Sequence, residues 1–186
     1  MKLLFACLFA LSALGSFAQQ KPTELDKSPM DISYCPQNYP ILRMSGKAGD
    51  QPYARVIYSR PQCNGRKIFG DIVRYNQVWR MGANEATEIE FFRNVKIGGK
   101  LLAKGRYTLY AICNESKWTI VINGDKDYWG LVQNPKKDVL RTDVTIQKLP
   151  ETVEALTIYF DDLSKNNTNL NIMWDDSKAS LPITLL

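Results

Sequence analysis

The chain is constrained most by a succession of short runs in which apolar and polar side chains alternate, each closed by Gly, Asn or Asp. In Thr87-Glu88-Ile89-Glu90-Phe91, Ile89 and Phe91 fall on one face and the two acids on the other. That two-residue period is the signature of a half-buried strand. Ala54–Ser59 mixes β-branched and aromatic residues, which suit a pleated surface. Val95–Ile97 and Lys100–Leu102 flank Gly98-Gly99, a pair that accepts the positive φ angles of a tight hairpin. Arg106–Cys113 places Tyr107, Leu109, Ala111 and Cys113 in phase, and Trp118–Ile122 does the same with Trp118, Ile120 and Ile122. Further runs occupy Val139–Leu149, Val153–Phe160, Leu170–Trp174 and Ile183–Leu186, with Asp161-Asp162, Asn166-Asn167 and Asp175-Asp176 reading as turns between them. The best helical stretch is short, Asp71–Tyr75 behind Gly70. The pattern predicts an all-β fold, an antiparallel β-sandwich of about eight to ten strands.

The N-terminus reads differently. Lys2 precedes an apolar run from Leu3 to Leu14, and Ser16-Phe17-Ala18 presents small residues where a signal peptidase cuts. The run is too short for a stable bilayer-spanning helix, and no later stretch is long and apolar enough to supply one. Residues 1–18 are therefore expected to be a signal peptide cleaved after Ala18, and the protein periplasmic or secreted. Residues 19–52, rich in Pro, Ser, Lys and Asp, read as an extended lead-in, and 53–186 as the β-sandwich domain. The formal charge of +5 falls only by Lys2 on cleavage, and the basic residues are dispersed. That is no nucleic-acid footprint.

Two residue types bound the chemistry. Histidine is absent, which removes Ser-His-Asp and Cys-His catalysis as usually built, together with His-containing zinc sites. Cysteine is odd in number after cleavage, since Cys7 leaves and Cys35, Cys63 and Cys113 remain. Cys35 and Cys63 both sit in Pro-flanked sequence and are the first guess for a disulfide in an oxidising compartment; three buried thiols are the alternative.

The densest segment in unusual residues runs from Tyr58 to Thr87. It carries Arg60, Arg66, Arg74 and Arg80 with Trp79, Asn84 and several glycines. Guanidinium forks grip carboxylate, phosphate or sugar oxygens in two places, so Arg60, Arg66, Trp79, Arg80 and Asn84 could form a binding face. The competing reading is that the arginines tie a long connection down by bonding backbone carbonyls and nearby acids such as Asp71 and Glu88. Both stand at this point.

Tyr58-Ser-Arg-Pro, Gly65-Arg-Lys-Ile-Phe-Gly, Val78-Trp-Arg, Gly82-Ala-Asn and Thr87 resemble the core of the domain of unknown function 2911 family, which is common in Bacteroidetes. Gly105-Arg-Tyr-Thr-Leu-Tyr-Ala-Ile, Trp118-Thr-Ile-Val-Ile-Asn, Trp129-Gly and Asp138-Val-Leu-Arg141 are similar to its later blocks, so that the resemblance covers about residues 28–186. It implies an exported β-rich protein and no particular reaction. Cys35, Cys63 and Cys113 depart from the family pattern, so any disulfide would be peculiar to this chain.

The remaining motifs are weaker. Asn123-Gly124-Asp125-Lys126-Asp127 has oxygen ligands at alternate positions, but Tyr128 and Asn134 stand where a calcium loop needs Gly and Glu, so it reads as a turn. Asp161-Asp162 and Asp175-Asp176 read as turn residues sooner than as glycosidase acids. Of the tryptophans, Trp129 beside Gly130 is the one expected at the surface and joins the binding candidates, whereas Trp118 and Trp174 are in strand phase. Cys63 as a nucleophile lacks a His base. No motif calls for a cofactor or a metal. The chain thus reads as a non-catalytic binding or accessory domain of the cell envelope, holding an anionic small molecule, a glycan or an envelope protein. A carboxylate-dependent glycan-active enzyme and a structural or assembly protein are the alternatives.

Overall fold

The computed structural model describes residues 21–186, so the signal peptide read at residues 1–18 lies outside the described residues. Ten strands form one antiparallel sheet: β1 (Met30–Cys35), β2 (Ala54–Ser59), β3 (Val78–Trp79), β4 (Glu88–Phe91), β5 (Val95–Ile97), β6 (Lys100–Leu102), β7 (Gly105–Cys113), β8 (Lys117–Asn123), β9 (Asp138–Phe160) and β10 (Asn167–Leu185). The spatial order is β1-β2-β4-β7-β8-β9-β10-β5-β6, with β3 paired to β7. Among the described residues, one short helix, α1 (Tyr39–Met44), and a single 3-10 turn at Pro135–Lys137 accompany the sheet. No helix of the described residues is long and apolar enough to cross a membrane.

The sheet folds over on itself through its two longest strands. β9 pairs with β8 through Asp138–Thr145, then leaves it and pairs with β10 from Ile146 to Phe160. β10 in turn pairs with β5 through Ile183–Leu185. The two sections face each other across one core. Trp118 of β8 and Trp174 of β10 both meet Phe69, at ring-centroid distances of 4.7 and 6.3 Å. Ile89, Phe91, Leu109, Ile120, Ile122, Leu156, Ile158, Phe160, Leu170 and Ile172 fill the space between, each at most 1% exposed. Burial on this scale is the dominant favourable term in folding. The far edge closes by single contacts: the Ser33 hydroxyl donates to the Ile158 carbonyl at 2.6 Å, and Leu156 N–H to the Pro61 carbonyl at 2.9 Å.

The structure corrects several local expectations. The stretch 19–52 carries β1, fully paired with β2 from Met30↔Ser59 to Cys35↔Ala54, and α1, in which Pro40 takes an N-terminal helical position that needs no N–H. Asp71–Tyr75 is not helical. It is a turn in which the N–H of Gly70 (φ 91) donates to the Val73 carbonyl and the Val73 N–H to the Ile68 carbonyl, anchored by buried Ile68, Phe69 and Val73. The gap between the runs Val139–Leu149 and Val153–Phe160, which holds Pro150, is a bulge inside β9, where Leu149–Thr152 lie between the pairs Lys148↔Ser177 and Val153↔Asp175. A bulge is where a strand tolerates a residue with no N–H to donate. Asp175-Asp176 is no turn between strands either. It is the opposing irregularity in β10, with Asp175 at φ 54 and its carboxylate accepting the Ile68 N–H at 3.1 Å. The Gly98-Gly99 hairpin has the expected geometry, with φ of 55 and 78.

Candidate functional site

The connection from β2 to β4 folds against β7, β9 and β10 and leaves a groove of about 380 Å³. Val78-Trp79 pair with Ile112-Ala111 of β7, which fixes Trp79 beside the core. The chain then turns at Met81, buried and at φ 57, and runs through Gly82 and Ala83 along the groove. Three contacts hold this turn. The Thr87 hydroxyl donates to the Met81 carbonyl at 2.8 Å, Thr87 N–H reaches the Arg80 carbonyl at 3.1 Å, and the Ser59 hydroxyl accepts the Ala83 N–H at 2.7 Å. Gly82 packs so near Ser59 that a Cβ there would lie 2.9 Å from its Oγ. Opposite, Gly130 (φ 80) and Leu131 close the groove, and the Ala86 N–H donates to the Tyr128 carbonyl at 3.3 Å.

The walls are apolar and cationic. Trp79 lies almost parallel to Trp174, with centroids 5.9 Å apart and planes at 21°. Ile72, Val73, Val78 and Leu131 add aliphatic surface. The charged side chains on the groove are Arg66 and Arg80, and no carboxylate lines it. Two guanidinium groups in a concave site without a counter-charge make a place for an anion.

The six residues proposed from sequence divide here. Arg60 is a clamp: its Nε donates to the Leu156 carbonyl at 3.1 Å, one Nη to Asp31 at 3.1 Å and the other to Thr157 at 3.0 Å. Arg66 is half committed, with Nε on the Cys63 carbonyl at 2.9 Å and Nη2 on the Gln62 carbonyl at 2.7 Å, yet it lines the groove. Arg80, half-buried beside Trp79, has no hydrogen bond or ion pair to its guanidinium among the described residues. Asn84 stands just outside and donates to Asp26 at 3.2 Å. Trp129 is 52% exposed and next to, not on, the groove. Arg60 thus fits the clamp reading, whereas Arg80 makes no such contact among the described residues. Arg60 pairs with Asp31, while Glu88 lies 3.6 Å from Arg106, an arginine outside this connection that donates to Asp127, so among the described residues neither Asp71 nor Glu88 ties down an arginine of the connection. Leu131 and Trp174 were not anticipated in this site. Leu131 lacked any periodic signal, and Trp174, at 2% exposed, reads as core because it is core.

The cysteines are free and buried, so the Cys35–Cys63 bridge is not formed. The register of β1 and β2 explains this. Cys35 pairs with Ala54, whereas Cys63 follows Ser59 at the other end of β2, about 17 Å away for a six-residue strand. A disulfide needs Cα atoms within about 7 Å. Burial pushes the Cys35 thiol up to about 11 and raises Cys113 and Cys63 as well. The Asn123 segment is an Asx-type turn. Its side chain accepts the Asp125 N–H at 2.9 Å and donates to Asp138 at 2.7 Å.

Fold and site together define a β-sandwich protein with an open groove walled by tryptophan and guanidinium. The chain belongs to the DUF2911 family: residues 43–183 match the family described as Protein of unknown function (DUF2911). The match excludes β1, which is integral to the sheet. No curated protein and no solved structure matches the chain.

Proposed function

We propose that this protein is an exported, non-catalytic binding domain of the cell envelope whose Arg80 groove holds a small anionic ligand. The observation that carries the reading is half-buried Arg80, whose guanidinium is unpaired among the described residues, in a concavity that no acid lines. A guanidinium kept for structure is usually spent on carbonyls or carboxylates, as Arg60 is. One left over beside an aromatic wall is available to a ligand. The same wall disfavours a carboxylate-dependent glycosidase at this site, since such chemistry needs a pair of acids flanking the bond. Export rests on Lys2, the Leu3–Leu14 run and Ser16-Phe17-Ala18.

A thermal-shift screen against glycans, phosphorylated metabolites and carboxylated metabolites tests the binding reading. A ligand of the folded state raises the melting temperature by mass action. A concentration-dependent shift that Arg80→Ala abolishes supports it. Shifts that survive this substitution place the ligand elsewhere. N-terminal sequencing of the protein from the envelope fraction tests export, with Gln19 as the expected first residue.

A further inference from the structure

The side chains lining the groove narrow the ligand beyond its charge. The polar side chains there are Arg66, Arg80 and Ser28, against aliphatic Ile72, Val78 and Leu131 and the ring of Trp79. Arginine donates and never accepts. A neutral sugar could accept from Arg80 but would gain none of the charge-assisted strength an anion gains there, and no carboxylate lines the groove to take its hydroxyl protons. A phosphate also accepts a guanidinium fork, but its extra charge and third oxygen are answered only where a lysine, a second free fork, a helix N-terminus or a cradle of free backbone N–H groups adds donors. No lysine lines this groove, α1 lies elsewhere, and the Ala83 N–H is already taken by Ser59. What remains is one whole guanidinium fork on Arg80. Arg66 adds positive charge, but its Nε and Nη2 are held by carbonyls. One planar fork matches one planar carboxylate. The apolar wall and a volume near the lower end for small-molecule sites suit a compact, flat body.

We propose that the groove binds an organic carboxylate with a flat apolar body, an aromatic or alicyclic carboxylic acid, with its carboxylate on Arg80 and its ring against Trp79. The inference rests on the binding reading above and names the ligand class for that site. The geometry also assigns Arg66 a supporting role, as a nearby charge that does not grip.

Titration calorimetry on the whole protein with 2-naphthoate, its neutral analogue 2-naphthamide, glucuronate and inorganic phosphate separates the possibilities. The expected result is binding of 2-naphthoate, with 2-naphthamide weaker by about tenfold or more because the charge-assisted bonds are lost. Arg80→Ala is expected to weaken 2-naphthoate by about tenfold to a hundredfold. Arg80→Lys keeps the charge but not the fork, and falls between. Should Arg80→Ala not fold, Arg80→Lys and the acid–amide pair carry the same test. Equal affinity of 2-naphthoate and 2-naphthamide, or no loss in the Arg80 variants, overturns the proposal. Glucuronate or phosphate binding as tightly as 2-naphthoate overturns the ligand class and leaves the anion-binding groove standing. Absence of any 2-naphthoate binding also overturns the class, and the wider thermal-shift panel then judges the groove separately.

Discussion

The buried hydroxyl of Ser59 holds both backbone groups of Ala83: it accepts the Ala83 N–H at 2.7 Å and donates to the Ala83 carbonyl. One side chain at the end of β2 thereby fixes the turn that aims Arg80. Ser59→Ala leaves both half-buried backbone groups of Ala83 without this partner. The expected loss is about 1–3 kcal/mol of stability. Urea denaturation checks it, and the same variant should bind groove ligands more weakly than Arg80 alone would dictate.

Arg60 and Arg80 should respond in opposite ways. Arg60→Ala removes three contacts that join the β2 edge to β1 and β9, for an expected loss of about 1–2 kcal/mol, moderated by its partial exposure. Arg80→Ala removes no protein contact of the guanidinium among the described residues and should leave stability within about 0.5 kcal/mol. Parallel denaturation curves decide this. A large loss at Arg80 would show that its guanidinium has a structural partner.

Gly130 is tied to its residue type twice over. Its φ is 80, and an added Cβ would lie 2.5 Å from the Ala86 Cβ and 3.2 Å from the Arg80 Cβ. Gly130→Ala should cost about 1 kcal/mol or more. It should also shift Arg80, so weakened ligand binding is expected along with a lower melting temperature.

Asp176 is held below the usual carboxyl value of 3.8 first by its hydrogen bond from Lys148 and then by Ser177. Asp143 is held below it by Lys117 and Thr119. A carboxyl depressed in the folded state binds a proton more readily when unfolded. Its stabilisation is present above the unfolded value and disappears as pH falls through the lower folded value. Melting temperature should therefore decline as pH is lowered from 5 through the region below 3.8. Lys148→Met should make that decline shallower. Both pairs are exposed, so each contribution is small and weakened by salt.

The thiols should be inert. At neutral pH Cys35, Cys63 and Cys113 are buried and protonated, and the thiolate is the reactive form. Ellman's reagent should label none of them in the folded protein and each of them in denaturant. Two thiols missing after denaturation, restored by reductant, would reveal a disulfide.

The short strands were legible because their signals are local. Ile89 and Phe91 alternate with acids, Gly98-Gly99 supports a turn of positive φ, and Trp118, Ile120 and Ile122 keep phase, all within a few residues. β1 was not read although Met30, Ile32 and Tyr34 alternate with Asp31 and Ser33, because the run is short and sits in sequence rich in Pro, Ser, Lys and Asp; pairing with β2 makes it a strand. Pro150 and Asp175 carry turn signals that long-range pairing overrode by placing them in facing bulges. The segment holding the groove could be found from its residue types. Which arginine clamps and which stays unpaired could not, because that depends on the carbonyl of Leu156, the hydroxyl of Thr157 and the carboxylate of Asp31, all remote in the chain.

The sequence by itself determined that this chain is an antiparallel β protein of the DUF2911 family, without imidazole chemistry, and which segment concentrates its arginines, because period, turn residues and residue types are properties of neighbours. Tertiary structure alone decided that β9 and β10 bend the sheet over one core, that Trp174 meets Trp79, and that Arg80 is left without a partner for its guanidinium among the described residues. These outcomes depend on contacts between residues far apart in the chain, which form only when the two sections of the sheet close on each other.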